Sequence, residues 1–194
     1  MMRKLTLTLA FSLLIGLIHA QTNTLDGFLK SKWGSSKAEV IENNSVKGYS
    51  YYESEDVSDD MLVVIDADFA GVSNCLIIWQ FTSDKLFQGS VSITPELSAK
   101  AMTEYKNMRD KIDGKYTEGK TYEYYDYPYE EGDGHWETAF KLGKGHLSTY
   151  WRFDDGNSLS MQMTEDLSFT IKYQSSELIK EAIKKQKDSH NDDL

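Results

Sequence analysis

Bulky apolar residues at every second position are the feature that most constrains the fold of this 194-residue chain. They recur in four segments, which are 74–81, 146–153, 158–164 and 168–174. Because successive side chains of a strand point to opposite faces of a sheet, this alternation predicts an antiparallel sheet with one buried and one solvent-facing side. The turn sequence Asp154-Asp155-Gly156-Asn157 predicts a hairpin between two of these strands, and the segment 82–85 predicts its counterpart in the first half.

Three further segments have the signals of helices that could cover the buried face. The Ser-Ser pair at 35–36 can cap a short helix. Thr94 as N-cap and Pro95 at the first helical position predict a longer helix that ends at Gly114. Its apolar stripe consists of Leu97, Ala101, Tyr105, Met108 and Ile112. A third helix is predicted at 175–187, so the predicted class is α+β, with helices packed on one face of the sheet and a C-terminal helix.

The sequence also aligns with itself, without a gap, at an offset of 72 residues. The aligned pairs include Tyr52 with Tyr124, Gly71 with Gly143, Trp79 with Trp151 and Phe81 with Phe153. Repeats of this kind indicate a structural unit that occurs twice. We therefore expect a first αβ repeat at 21–95 and a second at 96–174.

The two ends of the chain have distinct compositions. Arg3 and Lys4 precede an apolar run at 5–18, and Ala20 supplies the small residue that precedes a cleavage site, so residues 1–20 predict a signal peptide. The run is too short to predict a membrane span, and no cysteine follows the cleavage site, so no lipid anchor is expected. We expect an exported protein, periplasmic or extracellular, with a disordered polar tail at 188–194.

Charge and cysteine content limit the classes of partner. The 31 acidic and 21 basic residues give a formal net charge of −10. This charge repels nucleic-acid phosphates and anionic lipids, so we expect no nucleic-acid partner, and it favours basic partners. Cys75 is the single cysteine, so no internal disulfide is possible, and its apolar neighbours predict a buried side chain rather than a reactive thiol.

A tyrosine-rich segment at 122–136 is the strongest candidate for a binding site. On a strand, Tyr125, Tyr127 and Tyr129 would share one face, although Pro128 indicates an edge strand or a loop. Tyrosines are enriched at protein interfaces and also stack on sugar rings. The alternative is that half of them pack on the core. With the polar face of the later strands, the candidate partner-binding residues are Tyr122, Tyr125, Tyr127, Tyr129, Tyr150 and Arg152, accompanied by Ser160, Gln162 and Lys172.

Catalytic, cofactor and metal signatures are missing from the sequence. His135 and His146 could meet the acidic loop at 130–131, but their spacing is not that of a zinc site. The acidic clusters do not follow the spacing of a calcium loop, and neither a nucleophile elbow nor a phosphate-binding glycine loop occurs. We therefore predict no catalytic residue, no cofactor and no metal.

The opening at 33–40, Trp-Gly-Ser-Ser-Lys-Ala-Glu-Val, resembles the start of exported bacterial domains and is similar to that of the barrel-assembly small lipoprotein family. The helix-plus-sheet plan over 30–174 resembles the beta-lactamase inhibitory protein family, whose two repeats form one continuous curved sheet. The resemblance implies a binding or assembly role through the open face of the sheet. The chain departs from both families, because it lacks the lipoprotein cysteine and the cysteine pairs of the inhibitor.

Together these observations predict an exported, non-catalytic binding or envelope-assembly protein. It would engage a protein partner through the open face of its sheet and its tyrosine-rich loops. Two alternatives from other classes stay open: a glycan or small-ligand binding module, and a hydrolase without a recognisable motif.

Overall fold

The computed structural model describes residues 24–191, so the predicted signal peptide at 1–20 and the last three residues of the predicted tail lie outside the described residues. The strands of the described part are β1 (Gly27–Phe28), β2 (Ser31–Lys32), β3 (Met61–Phe69), β4 (Val72–Thr82), β5 (Lys85–Ile93), β6 (Lys120–Tyr125), β7 (Gly145–Arg152), β8 (Ser158–Met163) and β9 (Phe169–Gln174). The α-helices of the same part are α1 (Lys37–Asn43), α2 (Ala101–Lys115), α3 (Trp136–Lys141) and α4 (Leu178–Asn191).

Seven of these strands form one antiparallel sheet in the order β3-β4-β5-β9-β8-β7-β6. The two halves of the chain meet at the β5–β9 pair, where Val91 lies opposite Ile171. The edge strands are β3 and β6, and β1 and β2 form a separate two-stranded hairpin. The predicted α+β class, with an antiparallel sheet and a C-terminal helix, is confirmed.

One face of the sheet is buried, and it is the face that the alternation predicts. Its buried members include Cys75, Ile77, Trp79, Leu147, Trp151, Leu159, Met161, Phe169 and Ile171. Phe28 of the β1–β2 hairpin packs on this face against Trp79, with ring centroids 5.6 Å apart. Gly89 makes room for it, because a Cβ at this position would lie 2.0 Å from the Phe28 ring.

The predicted burial of Cys75 is confirmed, and its burial raises the pKa of the thiol.

Helix α2 covers the same face through four side chains of the predicted stripe. Ala101, Tyr105, Met108 and Ile112 are buried. The Tyr105 hydroxyl donates to the carbonyl of Met161 over 2.9 Å and lies 3.0 Å from Thr149 Oγ1. These contacts join the helix to two strands in the interior, where each buried polar group needs a partner.

The predicted ends of α2 are wrong. Thr94 and Pro95 belong to the connection that leaves β5, Leu97 is extended and exposed, and the helix begins at Ala101. A 3-10 turn at Ser98–Lys100 with no buried residue follows the connection from β5, and the α-helix begins at Ala101, the first residue of this segment that reaches the core. Gly114 lies inside the helix, which continues to Lys115.

The predicted cap of α1 is confirmed at Ser36. Its hydroxyl accepts from the backbone N–H of Glu39, and the Glu39 carboxylate accepts from the backbone N–H of Ser36 over 2.8 Å. This capping box satisfies two N–H groups at the start of the helix.

The predicted hairpins are confirmed as well: Ser83 and Asp84 connect β4 to β5, and the 154–157 segment connects β7 to β8.

The C-terminal helix is longer than predicted. The Ser175 hydroxyl accepts from the N–H of Leu178, and α4 then runs to Asn191. Residues 188–191 are therefore helical, whereas the sequence predicts a disordered tail from 188 onwards. The helix contacts β4 and β5, with Lys85 Nζ 3.4 Å from Glu181 Oε2. Its apolar residues Leu178, Ile179, Ala182 and Ile183 are not part of the buried core of the described residues.

The 72-residue duplication stays a prediction. Trp79 and Trp151 are both buried on sheet strands, and Gly71 and Gly143 both have a positive φ, which glycine adopts readily. The two halves differ elsewhere, because the span 133–141, which aligns with β3, contains α3.

Asp166 gives a stability prediction for the turn between β8 and β9. Hydrogen bonds from the hydroxyls of Thr164 and Ser168 lower the pKa of Asp166 below its ordinary value of 3.8. Because the pKa is lower in the folded state, the stabilisation is complete above pH 3.8 and is lost as the pH falls through the folded pKa. Asp166→Asn should lower the free energy of unfolding by about 1 kcal/mol or less at neutral pH, since solvent screens the site.

Urea unfolding at neutral pH and at pH values below 3.8 measures this difference. The wild type and Asp166→Asn should converge as the pH falls. Glu165→Gln, at the exposed neighbouring position, is the control and should show little change. A deficit of Asp166→Asn that persists in acid would contradict the assignment.

Candidate binding surface

The face of the sheet opposite Trp79 and Trp151 is called the open face here. Cross-strand pairing places its side chains in continuous rows. One row consists of Lys120, Tyr150, Ser160, Lys172, Ser90 and Ile78, and the next consists of Tyr122, Ser148, Gln162, Thr170, Ser92 and Leu76. Five of the ten side chains from β6 to β5 are serine or threonine, so the middle of the open face is mainly polar.

Side-chain hydrogen bonds tie the centre of the open face together. Gln174 Nε2 donates to Gln88 Oε1 over 2.7 Å, and Gln88 in turn donates to Gln80. The hydroxyls of Ser92 and Thr170 lie 3.0 Å apart. Polar pairs across strands stabilise a sheet modestly and also hold the surface side chains in place.

Aromatic side chains gather where the open face reaches its β6 edge. This tyrosine cluster consists of Tyr122, Tyr124, His146 and Tyr150. The rings of Tyr122 and Tyr150 meet edge to face with centroids 6.0 Å apart, and Tyr124 stacks on His146 at 4.4 Å. The three tyrosines are 43%, 55% and 47% exposed in chain order. They border a groove of about 810 Å³ that Lys120, Arg152 and Ser158 also line.

The open face carries cations in an otherwise acidic chain. Lys120, Arg152 and Lys172 project from it, and the Lys120 ammonium lies 4.9 Å from the centre of the Tyr122 ring. Among the residues of β4–β9 the single carboxylate is Glu123, which lies on the other face opposite Leu147. Glu118 lines the end of the groove. The surface therefore offers aromatic rings and positive charge.

Six of the residues predicted for the site share this face. They are Tyr122, Tyr150, Arg152, Ser160, Gln162 and Lys172. Tyr124, Lys120 and His146 also lie on it, and the sequence prediction missed them. The register of β6 against β7 identifies them, because Tyr124 pairs with His146 and Lys120 with Tyr150.

Tyr125, Tyr127 and Tyr129 do not share a face, because the segment is not one strand: a loop begins after Tyr125, as Pro128 predicts. Strand β6 ends at Tyr125, and Pro128 follows in a turn, because proline has no N–H to extend the ladder. Tyr125 is half-buried on the other side of the sheet, where its hydroxyl donates to Glu123 over 2.9 Å. Burial raises the pKa of Tyr125, and the hydrogen bond to Glu123 raises it further.

The two loop tyrosines stand apart from the tyrosine cluster. Tyr127 is 90% exposed, and its carbonyl accepts from Lys144 Nζ over 2.9 Å. Tyr129 is half-buried, and its ring lies 6.0 Å from the same ammonium. Tyr127 is therefore free to contact a partner on its own, whereas Tyr129 is held against the turn.

Asp113 near the end of α2 positions the strands that carry the tyrosine cluster. Its Oδ1 accepts from Trp151 Nε1 over 2.7 Å and from the N–H of Gly119 over 2.9 Å. Gly119 lies so close to the Trp151 ring that a Cβ would approach it to 2.5 Å. One carboxylate thus fixes the backbone that enters β6 and the buried side of β7.

The two candidate histidines lie on different elements. His135 precedes α3, and its N–H donates to Asp133 Oδ1 over 2.7 Å, one of two backbone hydrogen bonds that lower the pKa of Asp133. His146 lies on β7 with its Nε2 3.4 Å from Asp126 Oδ2.

Within residues 24–191, no group of three or more metal-ligating side chains is placed to hold a metal ion. None of the helices in that span is long and apolar enough to cross a membrane.

Comparison with known proteins identifies no relative: no family model matches the chain, and neither the curated proteins nor the solved structures contain a significant match to it.

Asp113→Ala tests whether this carboxylate holds the binding surface in place. The substitution removes the acceptor of the buried Trp151 indole N–H, so we expect a loss of about 2 kcal/mol in the free energy of unfolding. The Trp151 indole signal should shift, and amide exchange should accelerate at Gly119 and along β6. Asp110→Ala, on the exposed side of the same helix, is the matched control. Unchanged exchange at Gly119 would contradict the proposed role.

Proposed function

We propose that this chain is an exported, non-catalytic binding protein that holds a protein partner against the open face of its sheet. The observation that carries the proposal is the tyrosine cluster, in which three half-exposed tyrosines border one groove and His146 stacks on Tyr124. Tyrosine supplies a large apolar area with a polar tip and few rotatable bonds, which is why it is enriched at interfaces.

The shape and rigidity of the surface favour a macromolecular partner. The polar centre is cross-linked by the glutamine and Ser–Thr hydrogen bonds, and the aromatic groups stand together at the β6 edge. Anchors held by strands lose little conformational entropy when they bind. The same strands are fixed from behind by Asp113 and Tyr105.

The charge of the site favours an acidic patch on the partner. The net charge of the whole chain predicts attraction to basic molecules at long range, but Lys120, Arg152 and Lys172 occupy the open face itself. Charge complementarity at contact governs specificity and association rate. A partner that presents carboxylates opposite these cations, and apolar groups opposite the tyrosines, fits both features.

Photo-cross-linking from the open face tests this proposal. A benzophenone amino acid at Tyr150, in the full chain expressed with its own N-terminal segment, should produce one dominant cross-linked protein. The same probe at Tyr52 is the matched control, because Tyr52 is 49% exposed against 47% for Tyr150 but lies beside β3 at the other edge. It should produce no such adduct.

Replacement of the cluster completes the test. Tyr122→Ala combined with Tyr150→Ala should abolish capture and leave the melting temperature unchanged, because both side chains are half-exposed. The same adduct from Tyr52, or a loss of folding in the double variant, would show that the cluster is not a dedicated binding site.

A glycan-binding module is the second candidate, and the lining of the groove favours it. Tyr122 and Tyr150 present rings beside Ser148, Ser158 and Arg152, which is a set of groups suited to stacking and hydrogen bonding with a sugar. Envelope saccharides at about 10 mM should then shift the ring signals of Tyr122 and Tyr150 in NMR spectra. A flat titration across such saccharides would eliminate this candidate.

Export, envelope assembly and the two-repeat ancestry belong to the same proposal. The composition of residues 1–20 supports export, and the aligned glycines and tryptophans support duplication. The resemblance to the inhibitor and lipoprotein families agrees with a role that uses the open face. The hydrolase alternative would require turnover that is lost on substitution of His135 or His146.

A further inference from the structure

A crevice of about 210 Å³ opens on the side of the sheet that α2 covers. It lies between α2, the β1–β2 hairpin and the turn from β3 to β4, and its walls are largely apolar, with Phe28, Phe69, Met108 and Ile112 among them. A cavity of about 150 Å³ lined by apolar side chains holds one benzene ring. This crevice therefore has room for a single ring or a short alkyl chain with a small polar head.

Two buried phenols line the crevice without hydrogen-bond partners. Tyr116 is 6% exposed and Tyr173 is 7% exposed. Neither hydroxyl makes a hydrogen bond within the described part of the chain. Neither oxygen is completely buried, unlike the unpaired side-chain atoms in the core of that part. Both hydroxyls therefore reach space outside the sealed core, and both residues line the crevice. Hydroxyls at such half-closed sites hydrogen-bond to protein, water or ligand, so the pair offers two donors to an acceptor.

The protonation state of Tyr173 makes it a hydrogen-bond donor. Burial raises the pKa of Tyr173, and the nearby Tyr116 hydroxyl raises it further. At neutral pH the phenol of Tyr173 keeps its proton and can donate it in a hydrogen bond. A ligand that accepts hydrogen bonds satisfies a group that the fold leaves unpaired.

Two lysines on α2, one helical turn apart, supply positive charge at the same crevice. Lys111 Nζ donates to the carbonyl of Ala70 over 2.8 Å, which uses one of its three N–H groups. Lys115 Nζ lies 4.8 Å from the centre of the Tyr116 ring. None of the residues that line the crevice is acidic, although the chain has 31 acidic and 21 basic residues. The crevice thus combines an apolar wall with hydrogen-bond donors and cations.

We propose that this crevice binds a small amphipathic carboxylate, either a single-ring aromatic acid or a medium-chain fatty acid. The apolar part packs against Phe28, Met108 and Ile112, which form the wall. The carboxylate accepts hydrogen bonds from the phenols of Tyr116 and Tyr173 and faces the two lysines. This site lies across the sheet from the tyrosine cluster, so it is independent of the proposed partner-binding function.

NMR titration of the purified full chain tests the proposal with four probes. The carboxylates are phenylacetate and octanoate, and the uncharged controls are 2-phenylethanol and octanol. The carboxylates should shift the signals of Tyr116, Tyr173 and Ile112 at about 1 mM or below, and the alcohols should bind at least about fivefold more weakly.

Variants of the lining separate the contributions. Tyr173→Phe keeps the ring and removes the donor, so the affinity for octanoate should fall about threefold to tenfold. Lys111→Gln combined with Lys115→Gln should reduce the preference for carboxylate over alcohol. Lys106→Gln, at an exposed position of α2 that does not line the crevice, is the control and should bind as the wild type does. The lysine variants change exposed positions, so the test stands even if Tyr173→Phe fails to fold.

Three results would overturn the proposal. The first is the absence of shifts at the crevice with about 10 mM probe. The second is equal affinity for alcohol and carboxylate, or an equal loss in Lys106→Gln, which would show a non-specific effect. The third is shifts confined to Tyr122 and Tyr150, which would place the probe on the open face.

Discussion

One-sided burial of the seven-stranded sheet is the constraint on which the rest of this structure depends. Helix α2 and the β1–β2 hairpin cover the face that carries Trp79 and Trp151, together with side chains of α1, α3 and the segment 49–51. Because side chains alternate between the faces of a sheet, every residue buried on one side places its neighbours on the other. The open face is therefore determined by the core: a shift of one residue in β7 would bury Tyr150 and Arg152 and expose Trp151.

Helix α2 is the element that connects the core to both candidate sites. Tyr105 and Asp113 reach into the sheet and hold β6, β7 and β8, so the tyrosine cluster has a rigid support. Other positions of the same helix, Met108, Ile112 and the lysines at 111 and 115, line the crevice beside the β1–β2 hairpin. Sites supported in this way by buried hydrogen bonds and packing keep their geometry better than sites built on loops.

The sequence predicts the parts of the fold that local rules control. Alternation in β4, β7, β8 and β9 identifies the buried face, and Ser36 with Glu39 identifies the start of α1. The sequence does not predict where α2 begins. Thr94 and Pro95 have the local pattern of a helix start, but they lie in the connection that leaves β5, and the α-helix begins at Ala101. In β6 both faces carry tyrosine, so alternation cannot distinguish Tyr124 from Tyr125. Only the pairing with β7 places Tyr122 and Tyr124 outside and Tyr125 inside.

The central claim is that the open face of the sheet binds a protein partner. Tyrosine nitration, with and without the partner identified by cross-linking from Tyr150, tests this claim most directly. In the free protein Tyr122, Tyr124 and Tyr150 should be nitrated readily, whereas Tyr105, Tyr116 and Tyr173 should resist because they are buried. In the complex, protection should be confined to the three tyrosines of the cluster, and Tyr52 should stay reactive. Protection of Tyr52 with continued reaction at Tyr122 and Tyr150 would contradict the assignment of the open face as the binding surface.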